Sequence, residues 1–220
     1  FHTIIWPSML MGVGGLNLAY DVPANEYLQL EGAKFSKSAG VGVGVSDVVD
    51  RFEVDALRYY LAVNMPETSD SNWSWEEFVQ RVNDELVGIF GNFCHRTLTF
   101  TRRTFGAIPP AGPLDDADQA ALARIEQAGA EVAAALDACE FRRALRGMMG
   151  LATAGNQYFD KKAPWVLKKT DLAACGAALH VCLRIGQALA VYAAPFTPRA
   201  AERLFGYLGA SRGPGRWAEA

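Results

Sequence analysis

Apolar positions along the chain change their period twice. From Phe1 to Met11 they run almost unbroken, a helix-like segment that the glycines at 12, 14 and 15 bring to an end. Tyr27-Leu28-Gln29-Leu30 alternates as a short strand does, and Glu31-Gly32 closes it. Helical spacing returns at Val48, Val49, Phe52, Val54, Leu57, Tyr60 and Leu61. Ser46 is the expected N-cap there, because its hydroxyl can accept from backbone N–H groups that a first turn leaves unpaired. The polar stretch from Asn64-Met65-Pro66 to Asn72 breaks the pattern and predicts a domain boundary. From Trp73 onward the text is helical. Phe78, Val82, Leu86, Ile89, Phe90 and Phe93 mark one face of a long helix, and Ile108 to Pro113 is a loop. Ala-rich runs follow at 116–138, 140–160 and 171–192, with a shorter one from Pro198. Short connections between amphipathic helices predict an antiparallel bundle. The expectation is a mainly α chain: mixed α/β text over 1–72 and a helical bundle over 73–220.

Composition narrows the class. Of 220 residues, 50% are hydrophobic and 20% charged, which excludes disorder over most of the length. A net charge of -3 excludes a broadly basic nucleic-acid binder and leaves room for a local positive patch. No apolar stretch is read as reaching the ~20 residues that a bilayer requires, so no membrane span is expected. The chain opens at Phe1 without Met and without a basic leader. It reads as a piece of a longer, cytoplasmic protein rather than one with a signal peptide. Cys94, Cys139, Cys175 and Cys182 form no CxxC pair, so reduced, buried thiols are expected and no metal site.

The segment richest in chemistry is Lys34-Phe35-Ser36-Lys37-Ser38, preceded by Glu31-Gly32 and followed by Gly40, Gly42 and Gly44. Two ammonium groups and two hydroxyls on a glycine-flanked loop can close over a polyphosphate and stabilise charge that develops on it. Lysine suits this as a compact, mobile point charge. A solvated Lys/Ser turn is the other reading of the same five residues. The Gly-Val-Gly-Val text after it is no P-loop, because no Gly-Lys-Ser/Thr follows at the required spacing.

Residues Lys34 to Ser38 resemble the KMSKS signature of class I aminoacyl-tRNA synthetases, with Phe35 where Met is typical. The surrounding text resembles the methionyl-tRNA synthetases in particular. It includes Phe1-His2 with Trp6-Pro7, Ala24-Asn25-Glu26-Tyr27-Leu28, and Val54-Asp55-Ala56-Leu57-Arg58-Tyr59-Tyr60-Leu61. Gly91-Asn92-Phe93-Cys94-His95-Arg96, Asn156-Gln157-Tyr158, Ala163-Pro164-Trp165 and Pro195-Phe196-Thr197-Pro198 with Ala201-Glu202 continue it in order.

The resemblance implies that 1–72 is the end of a Rossmann-type α/β catalytic domain carrying the KMSKS-type loop, and 73–220 an anticodon-binding bundle. It implies a methionine–tRNA ligase: ATP, with Mg2+, activates methionine to methionyl-adenylate, which is transferred to tRNA(Met). Lys37 matches the lysine most directly tied to ATP, with Lys34 assisting and Ser36 and Ser38 bonding phosphate. Phe1 and His2 match positions lining the methionine pocket; read alone, His2 is better taken as a core histidine on an apolar helix. Asn92, Arg96 and Trp165 match the anticodon readers. An amide and a guanidinium bond base edges, and an indole stacks on a splayed base. Without the resemblance, Asn92 with Arg96 is an ordinary surface pair and Trp165 a core anchor at a helix start. Arg102, Arg103, Lys161, Lys162, Lys168 and Lys169 are candidates for phosphate-facing charge.

Some parts of the family pattern do not occur. The HIGH-like motif and the paired cysteines of the family's zinc insertion are not found in these residues, so aminoacylation by this segment alone is not expected. The resemblance implies that the family's zinc site would lie in an N-terminal part preceding Phe1. Ala39 stands where an Arg often follows the signature. Two alternatives stay open: another class I synthetase of the leucyl, valyl or cysteinyl type, and a free-standing RNA-binding module derived from a synthetase.

Overall fold

The opening apolar run forms helix α1 (Ile5–Val13), which stops where Gly14 takes φ 77 and its N–H donates to the Leu10 carbonyl. No residue of α1 is buried. The computed structural model describes residues 1–36 and 40–209. Strands β1 (Leu28–Leu30) and β2 (Ala33–Lys34) make an antiparallel hairpin across Glu31 and Gly32, both at positive φ, as a tight two-residue turn demands. Strand β3 (Ser71–Trp73) joins the other edge of β1 in parallel, with Leu28 opposite Ser71, giving the order β2-β1-β3. This strand straddles the predicted boundary at 72/73.

The helical text from Ser46 to Leu61 is two helices, α2 (Val45–Val49) and α3 (Val54–Val63). Ser46 is not the N-cap; Gly44 holds that position, and Ser46 lies inside the first turn. Between the helices the chain turns so that Phe52 stacks on Trp75 at 5.8 Å. That ring joins a small aromatic cluster of Tyr60, Trp73 and Phe78, with Leu57 beside them.

Helix α4 (Trp75–Arg81) starts at Ser74, whose hydroxyl accepts from Glu77 N–H. It runs without a break through a π-helical segment (Val82–Gly91) into α5 (Asn92–Phe105). A 3.6-residue reading assigns Phe78 to Phe93 to one face of one helix. The wider π-turns rotate that face instead: Phe78 belongs to the small cluster, whereas Phe90 and Phe93 enter the main core. Glycines permit the wide turns. A Cβ at Gly88 would stand 3.0 Å from the Asn83 carbonyl oxygen, and one at Gly91 3.3 Å from that of Leu86.

The predicted Ala-rich runs appear as α6 (Asp116–Asp137), α7 (Phe141–Lys162), α9 (Leu172–Ala193) and α10 (Pro198–Tyr207). A short helix, α8 (Pro164–Thr170), lies between α7 and α9, with Trp165 in its first turn as a helix start there predicts. Helices α5, α6, α7, α8 and α10 pack on α9. By length and a hydropathy of 1.5, α9 is long and apolar enough to cross a membrane, contrary to the sequence expectation; 78% of that window is buried among the other helices. It is the central core helix. The segment around α3 is fastened to these helices by side chains. Asp55 Oδ2 accepts from Ala200 N–H at 2.6 Å, and Arg58 donates to the carbonyls of Phe196 and Pro195 at 2.9 and 2.7 Å. Glu67 accepts from Arg142 N–H at 2.8 Å, at the start of α7.

Candidate functional site

Asn92 and Arg96 lie one turn apart on α5 and face a matching pair, Asn156 and Asp160, on α7. Two rungs connect the helices. Asn92 Nδ2 donates to Asn156 Oδ1 at 3.2 Å, and Arg96 Nη2 to Asp160 Oδ1 at 2.5 Å. Asn156 in turn donates to the carbonyl of Ile89 in the π-helical segment at 3.0 Å. The π-turns thus place a carbonyl where a side-chain amide of α7 reaches it, and that contact fixes the first rung.

A row of rings lies beside the second rung. The Arg96 guanidinium sits 4.5 Å over the Phe159 ring, and the Trp165 ring lies tilted beside Phe159 with centroids 6.1 Å apart. Phe159 also meets Phe100 edge-on, and Lys168 Nζ lies 6.0 Å from the Phe100 centroid. Phe159 is only 3% exposed, whereas Trp165 is 44% exposed. Trp165 is therefore no buried core anchor. It presents an indole at the surface on a rigid aromatic support. Arg96 spends one N–H on Asp160 and keeps further donors of its fork for another acceptor. Amide, guanidinium and exposed indole on one surface can bond base edges and stack an unpaired base.

Just beyond lies an ion cluster. Lys162 Nζ is 2.6 Å from Asp118 Oδ1 and 2.8 Å from Asp115 Oδ2, and the Tyr158 hydroxyl donates to Asp118 at 2.6 Å. Asp115 and Asp118 form the capping box that starts α6. The hydrogen bond from Lys162 pulls the Asp115 carboxyl down to about 2. Burial opposes the charge on Lys162, but the bonds it donates to its two carboxylates prevail and raise its pKa. Burial, then the bond to Asp118, pushes the Tyr158 phenol up. Lys162 is therefore not the phosphate-facing cation that its sequence neighbours suggest. Arg102, Arg103, Lys161, Lys168 and Lys169 are exposed.

At the other end of the chain, Lys34 is exposed at the close of β2. The backbones of Ser36 and Val41 pair reciprocally at 2.8 and 3.0 Å and close the mouth of the signature loop. Lys37 and Ser38 lie outside the described residues. Phe35 lines an apolar hollow of about 240 Å³ with Leu28, Leu30, Val43, Val48 and Trp73, so the residue at the Met position of the signature faces apolar side chains. Phe1 and His2 are exposed; their ring contacts, 5.4 Å with each other and 6.3 Å from His2 to Trp6, stay within their own segment. The structure thus gathers Asn92, Arg96 and Trp165, and sets Lys34 and Ser36 at a separate hairpin. Among the described residues no three His, Cys, Asp or Glu side chains group as a metal site.

Sequence reasoning did not single out Asn156, Phe159 and Asp160 as site residues. The available signal was the shared i, i+4 spacing of Asn156/Asp160 and Asn92/Arg96, which sets two facing pairs on two helices.

Residues 1–98 match the family described as tRNA synthetases class I (M), and residues 108–219 the anticodon binding domain of methionyl tRNA ligase. These matches define the chain as part of a class I aminoacyl-tRNA synthetase. The chain belongs to the methionyl-tRNA synthetase family. It is 48% identical over 209 residues to a methionine–tRNA ligase of Roseiflexus castenholzii, covering 95% of this chain and 35% of that one. To that of Pyrococcus horikoshii it is 45% identical over 215 residues, covering 93% and 30%. The fold superposes on the Mycobacterium tuberculosis methionyl-tRNA synthetase in complex with methionyl-adenylate with a TM-score of 0.83, at 29% identity, covering 93% of this chain and 41% of that one. The chain therefore spans about a third of the length of the curated relatives it matches.

Proposed function

We propose that this chain serves methionine–tRNA ligation by supplying two of its parts, the signature loop and the anticodon reader. Residues 1–72 are the end of a Rossmann-type catalytic domain, and 73–220 form an antiparallel anticodon-binding bundle. The observation that carries the reading is the convergence of Asn92, Arg96 and Trp165 on one surface, with Phe159 buried beneath the last two. The amide and guanidinium bond the edges of anticodon bases of tRNA(Met), and the indole stacks on one of them. Stacking of this kind is worth about 1–3 kcal/mol per base.

In the complete enzyme, the methionine carboxylate attacks the α-phosphate of ATP, forming methionyl-adenylate and releasing pyrophosphate. A hydroxyl of the tRNA terminal ribose then takes the methionyl group and releases AMP. Lys34 and Lys37 stabilise charge on the departing pyrophosphate, and Ser36 and Ser38 bond phosphate oxygens. The exposure of Lys34 at the hairpin supports this, since a mobile ammonium suits ATP carrying Mg2+. Phe1 and His2 line the methionine side, where aromatic faces suit a thioether. Cytoplasmic protein synthesis is the setting this implies.

The test is equilibrium binding of an anticodon stem-loop bearing CAU. The chain binds it with salt-sensitive affinity, and Trp165→Ala weakens binding by about ten-fold, the scale of one lost stack. Equal affinity for stem-loops with unrelated anticodons overturns the reading.

A further inference from the structure

Trp165 is the second residue of a seven-residue helix, half exposed, and rests on one ring. Its orientation is inherited from the chain before it. That chain bends sharply: Ala163 sits at φ 43, ψ 61 between the end of α7 and Pro164, which begins α8. A non-glycine residue in this left-handed region is held there by its surroundings rather than by preference. The last turn of α7 is gripped from two sides. Asp160 bonds Arg96 of α5, and two residues later Lys162 reaches the opposite way to Asp115 and Asp118 of α6. Beyond the bend, the Pro164 carbonyl accepts from the Cys175 thiol of α9.

We infer that Lys162 is a positioning residue for anticodon recognition, acting through Trp165 by locking the Ala163 bend. This rests on the anticodon reading given above. The side chain of Lys162 is only 14% exposed and that of Asp118 2%, so the pair is largely withdrawn from water. Two carboxylates face one ammonium, leaving the cluster net negative, so it cannot attract a phosphate backbone. Tyr158, one turn back on α7, bonds the same Asp118 and fixes the carboxylate that Lys162 grips. A cation at a helix C-terminus joined to carboxylates at a helix N-terminus also satisfies both helix dipoles, which favours this geometry over its alternatives.

The decisive experiment is a double-mutant cycle on the 220-residue chain with the CAU stem-loop. Lys162→Met weakens binding by about ten-fold in the wild-type background, as losing one stack does, and by less than about two-fold when Trp165 is already Ala. The slope of log affinity against log salt stays unchanged, because no phosphate contact is lost; a lysine on phosphate lowers it by about one. Ala163→Gly guards against a folding artefact. It keeps the ion cluster and relieves the left-handed residue, so the thermal midpoint holds while binding weakens several-fold. The indole N–H resonance of Trp165, read by NMR without RNA, shifts or broadens in both variants. An equal loss in the Trp165→Ala background, a reduced salt slope, or an unmoved indole resonance overturns the inference. A wild-type chain without CAU preference overturns the anticodon reading instead, and the indole resonance still decides whether Lys162 controls Trp165.

Discussion

Asp115 both caps α6 and holds Lys162, and these roles can be separated by pH. Its carboxyl is lowered from the ordinary 3.8 to about 2, chiefly by the hydrogen bond from Lys162. A depressed carboxylate stabilises the folded state above its unfolded pKa, and that contribution is lost as pH falls through the folded value. Asp115→Asn retains a capping acceptor but removes the charge. The variant should melt below the wild type at pH 5 to 7, and the difference should shrink between about pH 4 and pH 2 until the two coincide. Thermal melts across that range check it, and a constant difference would assign the effect to the cap alone. At this scale the sequence was informative about residue types and silent about partners. Asn92, Arg96 and Trp165 stood out only through the resemblance to the methionyl-tRNA synthetases, since their types and spacing alone fit a surface pair and a helix-start anchor equally. Their supports, Asn156 and Asp160, lie 64 residues away along the chain, where no local spacing connects them. Lys162 looked like one of a run of surface cations. Only the tertiary approach of α6 shows that its charge is consumed internally.

Helices were read well where an Ala-rich run was long and bounded by loops, as for α6, α7 and α9, and poorly where a turn changed width. Ser46 misled because a good capping side chain one residue inside a helix looks the same in sequence as one at its start. The π-helical segment was invisible because its residues still fit a 3.6-residue stripe; what sets it is which core each ring joins. Glycines inside the long helices sharpen this point. A Cβ at Gly155 of α7 would lie 2.7 to 3.0 Å from the ring of Phe93, which is fully buried and cannot retreat. At Gly186 of α9 nothing lies within 4 Å of the added methyl. Alanine gains up to about 1 kcal/mol over glycine in a helix interior, whereas overpacking a filled core costs about 1–3 kcal/mol. Gly186→Ala should therefore stabilise by about 0.5–1 kcal/mol, and Gly155→Ala should destabilise by about 1 kcal/mol or more. Denaturant midpoints measured on the two variants together give the comparison. If both shift in the same direction, close approach of α7 and α5 is not what requires Gly155.

Across the whole molecule, the question is whether the signature-loop region and the helical region behave as one body. Helix α3 faces both: Leu57 and Tyr60 enter the small aromatic cluster, while Tyr59 and Ala62 enter the main core. Its charged residues then grip helix ends. Asp55, 4% exposed, meets the N-terminal N–H of Ala200, and Arg58 meets the carbonyls that follow α9. Each contact sets a charge at the helix end whose partial charge it opposes. A carboxylate capping a helix N-terminus is worth about 0.5–2 kcal/mol, and sharing α3 between two clusters adds apolar burial on either side. Together these terms exceed thermal energy several times over, so the two regions should unfold together. Indole fluorescence, read with Trp6, Trp165 and Trp217 replaced by Phe so that only Trp73 and Trp75 emit, follows the small cluster, and far-ultraviolet circular dichroism follows the helices. The two melting curves should coincide in the wild type, as a single cooperative transition requires. Asp55→Ala combined with Arg58→Ala removes the grip and leaves the shared α3 core, so the fluorescence transition should move several degrees below the helical one. Coincident curves in that variant would mean that apolar burial on α3 alone couples the regions, and that the charged clasp contributes only local stability.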